Sequence, residues 1–305
     1  MKNKTLIIDD EQDNLDILSH ILRKEGHQII SAKNGKEALA IIEKREDIIL
    51  VIADILMPEM NGIEFLKEVR SKHLLEDIPV IIQTASINKQ FLYDGIKLGA
   101  YYYLSKPFNS QKLKELSKLA IGQYISRHEL YEKLPDDFTV APANNNFDRL
   151  EFIKGVEFKF QNIDDVKEIA GHLSTYFPNP QKAMYGISEL MINAIEHGNL
   201  GITFEEKIKF LGKGTWKDEV MKRSLFEENK DKFARITVSK FKGKIEVNIK
   251  DCGDGFEYTE FLELSRDRAS SPAGRGIATA KIYSFDELVY NDKGNEVIAI
   301  VYQTS

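Results

Sequence analysis

Four short segments carry side chains able to do phosphoryl chemistry. Leu6-Ile7-Ile8 runs into Asp9-Asp10-Glu11. Ile48-Ile49-Leu50-Val51-Ile52-Ala53 ends in Asp54, with Met57-Pro58-Glu59-Met60-Asn61-Gly62 beyond it. Ile78-Pro79-Val80-Ile81-Ile82-Gln83 ends in Thr84, and Tyr101-Tyr102-Tyr103-Leu104-Ser105 ends in Lys106-Pro107. Each begins as an apolar run of strand length and ends in an acid, a hydroxyl or a cation. Clustered acids repel one another unless a cation sits among them, and hard oxygen ligands with room for water suit Mg²⁺. A carboxylate nucleophile, a metal to offset charge and an ammonium on the phosphoryl oxygens are what forming an acyl phosphate requires. Taken alone, Asp54 reads equally well as a strand-end helix cap.

Positioning these groups requires a particular architecture. Amphipathic patterns such as Asn14–Leu22 and Ile63–Val69 lie between the apolar runs. Alternating strand and helix argue for a doubly wound parallel sheet, and parallel strands present their carboxyl ends at one edge.

The constellation of Asp9-Asp10, Asp54 with Pro58 four places on, Thr84-Ala85 and Lys106-Pro107 resembles the receiver domain of two-component response regulators. The resemblance implies a flavodoxin-like five-stranded parallel sheet over residues 1–121. It implies that Asp54 accepts a phosphoryl group from a phosphohistidine on an upstream histidine kinase or phosphotransfer protein. Mg²⁺ would be held by Asp9, Asp10, Asp54 and the backbone carbonyl of Leu56. Lys106 would pair with the phosphoryl oxygens, Thr84 would bond to the phosphate, and Tyr103 would be the aromatic switch that turns inward. Read alone, Tyr103 is equally an edge aromatic, one of three tyrosines in a row.

The 305 residues leave room for a second domain. Net charge is −6, which argues against a nucleic-acid-binding output. Cys252 is the one cysteine, so no intrachain disulfide can form. No apolar run reaches membrane-spanning length. The first residues lead straight into a strand without a signal-peptide pattern, so a soluble cytoplasmic protein is expected.

A helical pattern from about Ser110 to Leu134 carries Leu113, Leu116, Leu119, Ile121, Tyr124 and Ile125. Pro135, Pro142 and Asn144-Asn145-Asn146 follow, so residues 122–150 read as a helical extension and linker. The projecting helix could pair with its copy in a homodimer or pack on its own second domain, and the sequence leaves both open. His128-Glu129 on it has the look of a kinase phosphohistidine, but no helical hairpin follows, so His128 reads as an ordinary helix residue.

Residues 151–305 contain three further segments. In the helical stretch Ala183–Asn199, Glu189, Asn193 and His197 are spaced four apart and share a face. Such a face is also what plain solvent contact produces. A strand pattern Lys244–Lys250 runs into Asp251-Cys252-Gly253-Asp254-Gly255, where glycines let a ligand approach the backbone. Alone it is a turn signal. Gly274-Arg275-Gly276 opens another helical pattern, a natural phosphate position.

In this order the segments resemble the histidine-kinase-like ATPase (Bergerat) fold, an α/β sandwich, in its anti-sigma-factor serine kinase branch. The resemblance implies that Asn193 coordinates Mg²⁺ between ATP phosphates and that His197 belongs to the same box. Asp251 would accept from the adenine amino group, with Gly253 and Gly255 beside it. Gly274 and Gly276 would pass the phosphates, and Glu189 would act as general base toward a substrate serine. Two features depart from that family. One is a charged insertion from Phe204 to about Phe233, whose Trp216, Val220 and Leu225 suggest helical turns packed on the core. The other is a short polar lid, Ser265–Pro272, with Arg275 between the glycines.

The expected function is therefore a response regulator whose phosphorylation controls an ATP-binding output, with a sigma factor or anti-sigma antagonist as partner. The alternative is a catalytically silent, phosphorylation-gated interaction scaffold. A DNA-binding output lacks any visible helix-turn-helix.

Overall fold

The computed structural model describes residues 4–45, 47–72, 74, 78–85, 89–107, 110–132, 155–265, 268, 271 and 273–303. Two compact units divide them, the first within Met1–Glu132 and Ser265–Pro272 and the second within Lys133–Leu264 and Ala273–Ser305.

The first unit alternates strand and helix: β1 (Lys4–Ile8), α1 (Gln12–Lys24), β2 (Gln28–Ala32), α2 (Gly35–Ile42), β3 (Ile48–Asp54), α3 (Gly62–Ser71), β4 (Val80–Thr84), α4 (Lys89–Lys97), β5 (Tyr102–Ser105) and α5 (Ser110–Glu132). The sheet order is β2-β1-β3-β4-β5, all parallel. This is the doubly wound flavodoxin-like order expected from the sequence. All seven residues of β3 are buried, as befits a central strand covered on both faces. Leu15, Leu18 and Leu22 of α1 and Leu113, Leu116 and Ala120 of α5 pack on one face of the sheet against Ile7, Leu50, Ile52, Ile81, Tyr102 and Leu104. Helix α3 starts on a capping box in which Asn61 and Glu64 each accept from the other's backbone N–H.

The second unit contains β6 (Val156–Phe160), α6 (Ile163–Ser174), α7 (Pro180–Asn193), a π-helical segment (Ala194–Asn199), α8 (Phe204–Lys213), α9 (Trp216–Ser224), β7 (Ala234–Phe241), β8 (Lys244–Lys250), α10 (Gly276–Thr279), β9 (Glu287–Tyr290) and β10 (Glu296–Tyr302). Its sheet order is β6-β7-β8-β10-β9, antiparallel throughout. Strands β7 and β8 alternate buried and wetter positions. The inward set, Ala234, Ile236, Val238, Ile245, Val247 and Ile249, joins the apolar faces of α6 and α7 in a single core. On β8 and β10, Lys244, Glu246, Asn248, Lys250 and Glu296 form ion pairs and hydrogen bonds among themselves. A sheet packed on one side and polar on the other is the ordinary outcome for antiparallel strands.

Two details differ from the sequence reading. The helix expected to run unbroken through Ala183–Asn199 is α-helical only to Asn193 and widens into a π-helical turn beyond it. The i, i+4 spacing that put His197 on one face with Glu189 and Asn193 assumed 3.6 residues per turn, and the widening ends that register at Asn193. In the insertion, Val220 is 2 % exposed and Trp216 packs on the core, but Leu225 is 77 % exposed. Helix α9 ends at Ser224, so Leu225 falls past the last helical position of the pattern. The linker after Glu132 and most of Ser265–Pro272 lie outside the described residues, as does the side chain of His128.

Candidate functional site

At the carboxyl edge of the parallel sheet, Asp9 follows β1, Asp54 ends β3, Thr84 ends β4 and Lys106 follows β5. Asp9 is fully buried, Asp54 is 8 % exposed and Asp10 is exposed. Carboxylate oxygens of Asp9, Asp10 and Asp54 all lie within 4.8 Å of one another. The Lys106 ammonium donates to Asp54 Oδ2 at 2.5 Å and to Asp9 Oδ2 at 2.8 Å. Asp9 Oδ1 also accepts from the Glu11 backbone N–H and from the Asn14 carboxamide, which fixes its orientation. Thr84 is buried, and its backbone carbonyl accepts from the Lys106 N–H at 2.8 Å. Leu56 stands in the loop after β3 with its side chain 63 % exposed.

Burial pushes the Asp54 carboxyl above its ordinary range, with the Lys106 hydrogen bond and charge pulling against it. Burial works against the Lys106 ammonium, but its two carboxylate partners more than offset this and hold it above the usual lysine value. Three hard oxygen donors at this spacing fit a small divalent cation, and the donor set is of the type Mg²⁺ takes. Gly62 sits where an added Cβ would lie 2.2 Å from the Asp54 carbonyl oxygen, so only glycine lets α3 start this close to the acid.

Tyr103 is 1 % exposed. Its hydroxyl lies 3.1 Å from the Phe91 carbonyl and 3.2 Å from that of Leu92, both on α4, and donates there. The ring expected to turn inward on phosphorylation is thus already inside.

A profile of the response regulator receiver domain matches residues 5–118. A chemotaxis protein CheY homolog of Campylobacter jejuni is 37 % identical over 120 residues, which is 39 % of this chain and 92 % of that protein. The chain belongs to the response regulator receiver family. Its receiver domain serves two-component signalling, is of the kind that binds Mg²⁺ at the acidic pocket, and implies interaction with an upstream histidine kinase or phosphodonor. Response regulator SaeR of Staphylococcus aureus is 32 % identical over 167 residues, covering 55 % of this chain and 64 % of that protein. Among solved structures, Vibrio cholerae CheY4 is 31 % identical, with a TM-score of 0.37, covering 39 % of this chain and 98 % of that one. Among the described residues no helix is long and apolar enough to cross a membrane.

Beyond the receiver domain, a second set of polar groups gathers in the antiparallel unit. Glu189 and Asn193 both lie on α7. A Cβ added to Gly276 would lie 2.4 Å from Glu189 Oε2 and 3.6 Å from Asn193 Nδ2, so the backbone at the start of α10 runs directly beside both side chains. Asp251 lies just past β8. A Cβ on Gly198 would lie 2.2 Å from its Cγ, and one on Gly253 would lie 2.4 Å from the Gly198 carbonyl oxygen. The Gly253 N–H donates to Asp251 Oδ1 at 2.7 Å, and the buried Asn199 accepts from the Cys252 N–H. Burial pushes the Asp251 carboxyl up to about 6. Tyr290 is raised by burial and then by the Asp251 charge.

Gly255 (φ +83°) is held against the Lys293 carbonyl and Gly274 (φ +77°) against the Phe204 ring. His197 does not join Glu189 and Asn193: its Nδ1 pairs with the Ile202 carbonyl, and burial followed by the Lys207 charge pushes its pKa below the ordinary value.

Sequence reasoning passed over Glu196, which is fully buried and accepts from the Lys207 ammonium and the Trp216 indole N–H. An acid directly after the apolar Ala194-Ile195 pair was the available signal, because a carboxylate that becomes buried demands a partner.

Proposed function

We propose that the chain is a response regulator phosphorylated on Asp54 whose second unit, residues 151–305, is an ATP-binding output of the histidine-kinase-like type. Residues 1–121 would be the receiver and 122–150 the helical extension and linker. A carboxylate oxygen of Asp54 forms the bond to phosphorus as the donor's own bond breaks. Asp9, Asp10, Asp54 and the Leu56 carbonyl would hold Mg²⁺, which would supply positive charge to the phosphoryl oxygens. Lys106 exchanges its place between two carboxylates for one on the phosphoryl group, and Thr84 hydrogen-bonds to it. Since Tyr103 already lies inside, the switch in this reading is a change in its α4 partners.

The single observation behind the output reading is the pair of places where backbone without a Cβ passes a polar side chain: Gly276 at Glu189 and Asn193, and Gly198 with Gly253 at Asp251. These are the positions where the proposed Mg²⁺–phosphate and adenine contacts would fall. Asp251 would accept from the adenine amino group, Asn193 would meet Mg²⁺, and Glu189 would serve as general base toward a serine on a sigma-factor antagonist. Titration calorimetry of the full chain with ATP and Mg²⁺ tests the pocket, and absence of any heat sinks it. Labelled ATP with a candidate antagonist tests transfer, with Glu189→Ala as the control that must abolish it.

A silent scaffold is the second reading. Met221 (68 % exposed), Leu225 (77 %) and Phe226 (39 %) put three large apolar side chains on the surface at the end of α9, which suits a protein-binding role. Partner binding that survives Glu189→Ala with no label transferred favours it.

A further inference from the structure

The insertion that sets this chain apart from simple serine kinases makes a specific connection. Helices α8 and α9 are tied to each other by Arg223, whose guanidinium pairs with Glu206 on α8 and with Glu219 on α9. From this hairpin, Lys207 and Trp216 both reach Glu196 in the π-helical turn that follows Asn193. Glu196 is fully buried, and its backbone carbonyl also accepts from the Ile202 N–H at 2.8 Å. At the other end of the hairpin, the Phe204 ring lies against Gly274, with its Cε2 2.5 Å from where a Cβ would stand.

A carboxylate removed from water is tolerated only while its donors are in place. Losing either donor would leave charge stranded in the core, and the turn must then shift to rehydrate it. Asn193 is the residue immediately before that turn, so such a shift moves Asn193 first. We infer that α8 and α9 are a brace for the turn after Asn193, and that Glu196 is a positioning residue acting on Asn193 through it. The consequence for nucleotide affinity rests on the proposed ATP-binding reading. The bracing of the turn does not.

Three variants of the full chain test this. Lys207→Met keeps the aliphatic stem and removes the charge. Trp216→Phe keeps a packed ring and removes the N–H. Lys207→Arg supplies a donor again. Two readouts are taken: Mg·ADP affinity by calorimetry, and hydrogen exchange of the amides in residues 194–202. Acetyl-phosphate labelling of Asp54 serves as the control for an intact first unit.

The first two variants should weaken Mg·ADP binding by about tenfold and speed exchange in the turn, and Lys207→Arg should restore both. Faster exchange in a chain that binds no Mg·ADP even as wild type would uphold the brace and remove the nucleotide reading. Exchange and affinity both at wild-type values in Lys207→Met and Trp216→Phe would overturn the inference. So would a general loss of thermal stability with affinity and turn exchange unchanged, because the hairpin would then be only a prop for the core.

Discussion

Lys106 reaches across the mouth of the parallel sheet to Asp54, its ammonium 2.5 Å from Oδ2. The same nitrogen holds Asp9. In the proposed reading it stands beside the acceptor carboxylate and would trade a carboxylate partner for a phosphoryl oxygen on transfer. Lys106→Met should slow labelling of Asp54 by acetyl phosphate about a hundredfold. Asp54→Asn should abolish labelling outright. Quantitative mass spectrometry of the intact chain reads both, and full labelling of Asp54→Asn would remove Asp54 as the acceptor.

Tyr103 and Gly95 form the second pair whose geometry makes a sharp demand. A Cβ on Gly95 would lie 1.8 Å from the Tyr103 hydroxyl oxygen and 3.0 Å from Cζ. Gly95→Ala should cost about 2 kcal/mol, as overpacking typically does. Tyr103→Phe alone should cost about 1 kcal/mol for its lost hydrogen bond. The clash is with the hydroxyl, so the double variant should be clearly more stable than the sum of the two losses. Denaturant unfolding of the four chains measures the coupling, and strict additivity would contradict the close approach.

The parallel sheet and the gathering of its candidate residues were readable because each apolar run leads directly into one of them. Asp54 closes β3, Thr84 closes β4, and Asp9 and Lys106 each lie next to a strand end, so finding the strands placed all four at one edge. Where the chain alternates helix and strand, sheet order follows from few choices. The inward pose of Tyr103 was not readable, because period-2 burial of Tyr102 and Tyr103 in a fully covered strand gives no preference to either face.

In the second unit, Glu189, Asn193 and Asp251 stand out in the sequence by type and spacing. The sequence could not show that the backbone widens after Asn193, because a π-turn leaves no mark in apolar spacing. It could not see Glu196 as a hub either, since its donors Lys207 and Trp216 come from a segment that looks like a solvated, mixed-charge run. The exposure of Leu225 follows from a helix end one residue earlier than the pattern implied.

Asp251 carries a pH dependence whose sign can be worked out. Its carboxyl rises from the ordinary 3.8 to about 6 in the folded chain, chiefly through burial. Between those values the folded state holds more protons than the unfolded one. Unfolding stability contributed by this group therefore falls as pH rises from about 4 through 6. Asp251→Asn, which resembles the protonated form, should be more stable than wild type at pH 8 and nearly equal to it at about pH 3, below the unfolded value. Thermal melts at the two pH values read the difference. Nucleotide affinity should run the other way. In the proposed reading an adenine amino group would donate to the ionised carboxylate, so Mg·ADP binding should weaken as pH drops through about 6, with no such step in Asp251→Asn. A step retained in the variant would assign the titration to another group.

Gly198 supplies the most direct structural challenge to the nucleotide reading. It lies in the turn after Asn193, and a methyl group there would occupy space 2.2 Å from Asp251 Cγ, 2.5 Å from Oδ1 and 2.6 Å from Oδ2. Asp251 cannot simply swing aside, because Oδ1 already accepts from the Gly253 N–H. Gly198→Ala should therefore rotate the carboxylate out of line and break that bond. We expect a stability loss of about 2 kcal/mol and a loss of Mg·ADP affinity of more than tenfold. Gly212→Ala, on α8 with nothing within 4 Å of its added Cβ, is the matched control: it should leave Mg·ADP affinity unchanged and gain up to about 1 kcal/mol of stability, as a helical glycine replacement does. If Gly198→Ala is destabilised as expected yet binds Mg·ADP as tightly as wild type, the Asp251 carboxylate is a packing feature of the turn, and the adenine contact must be given up.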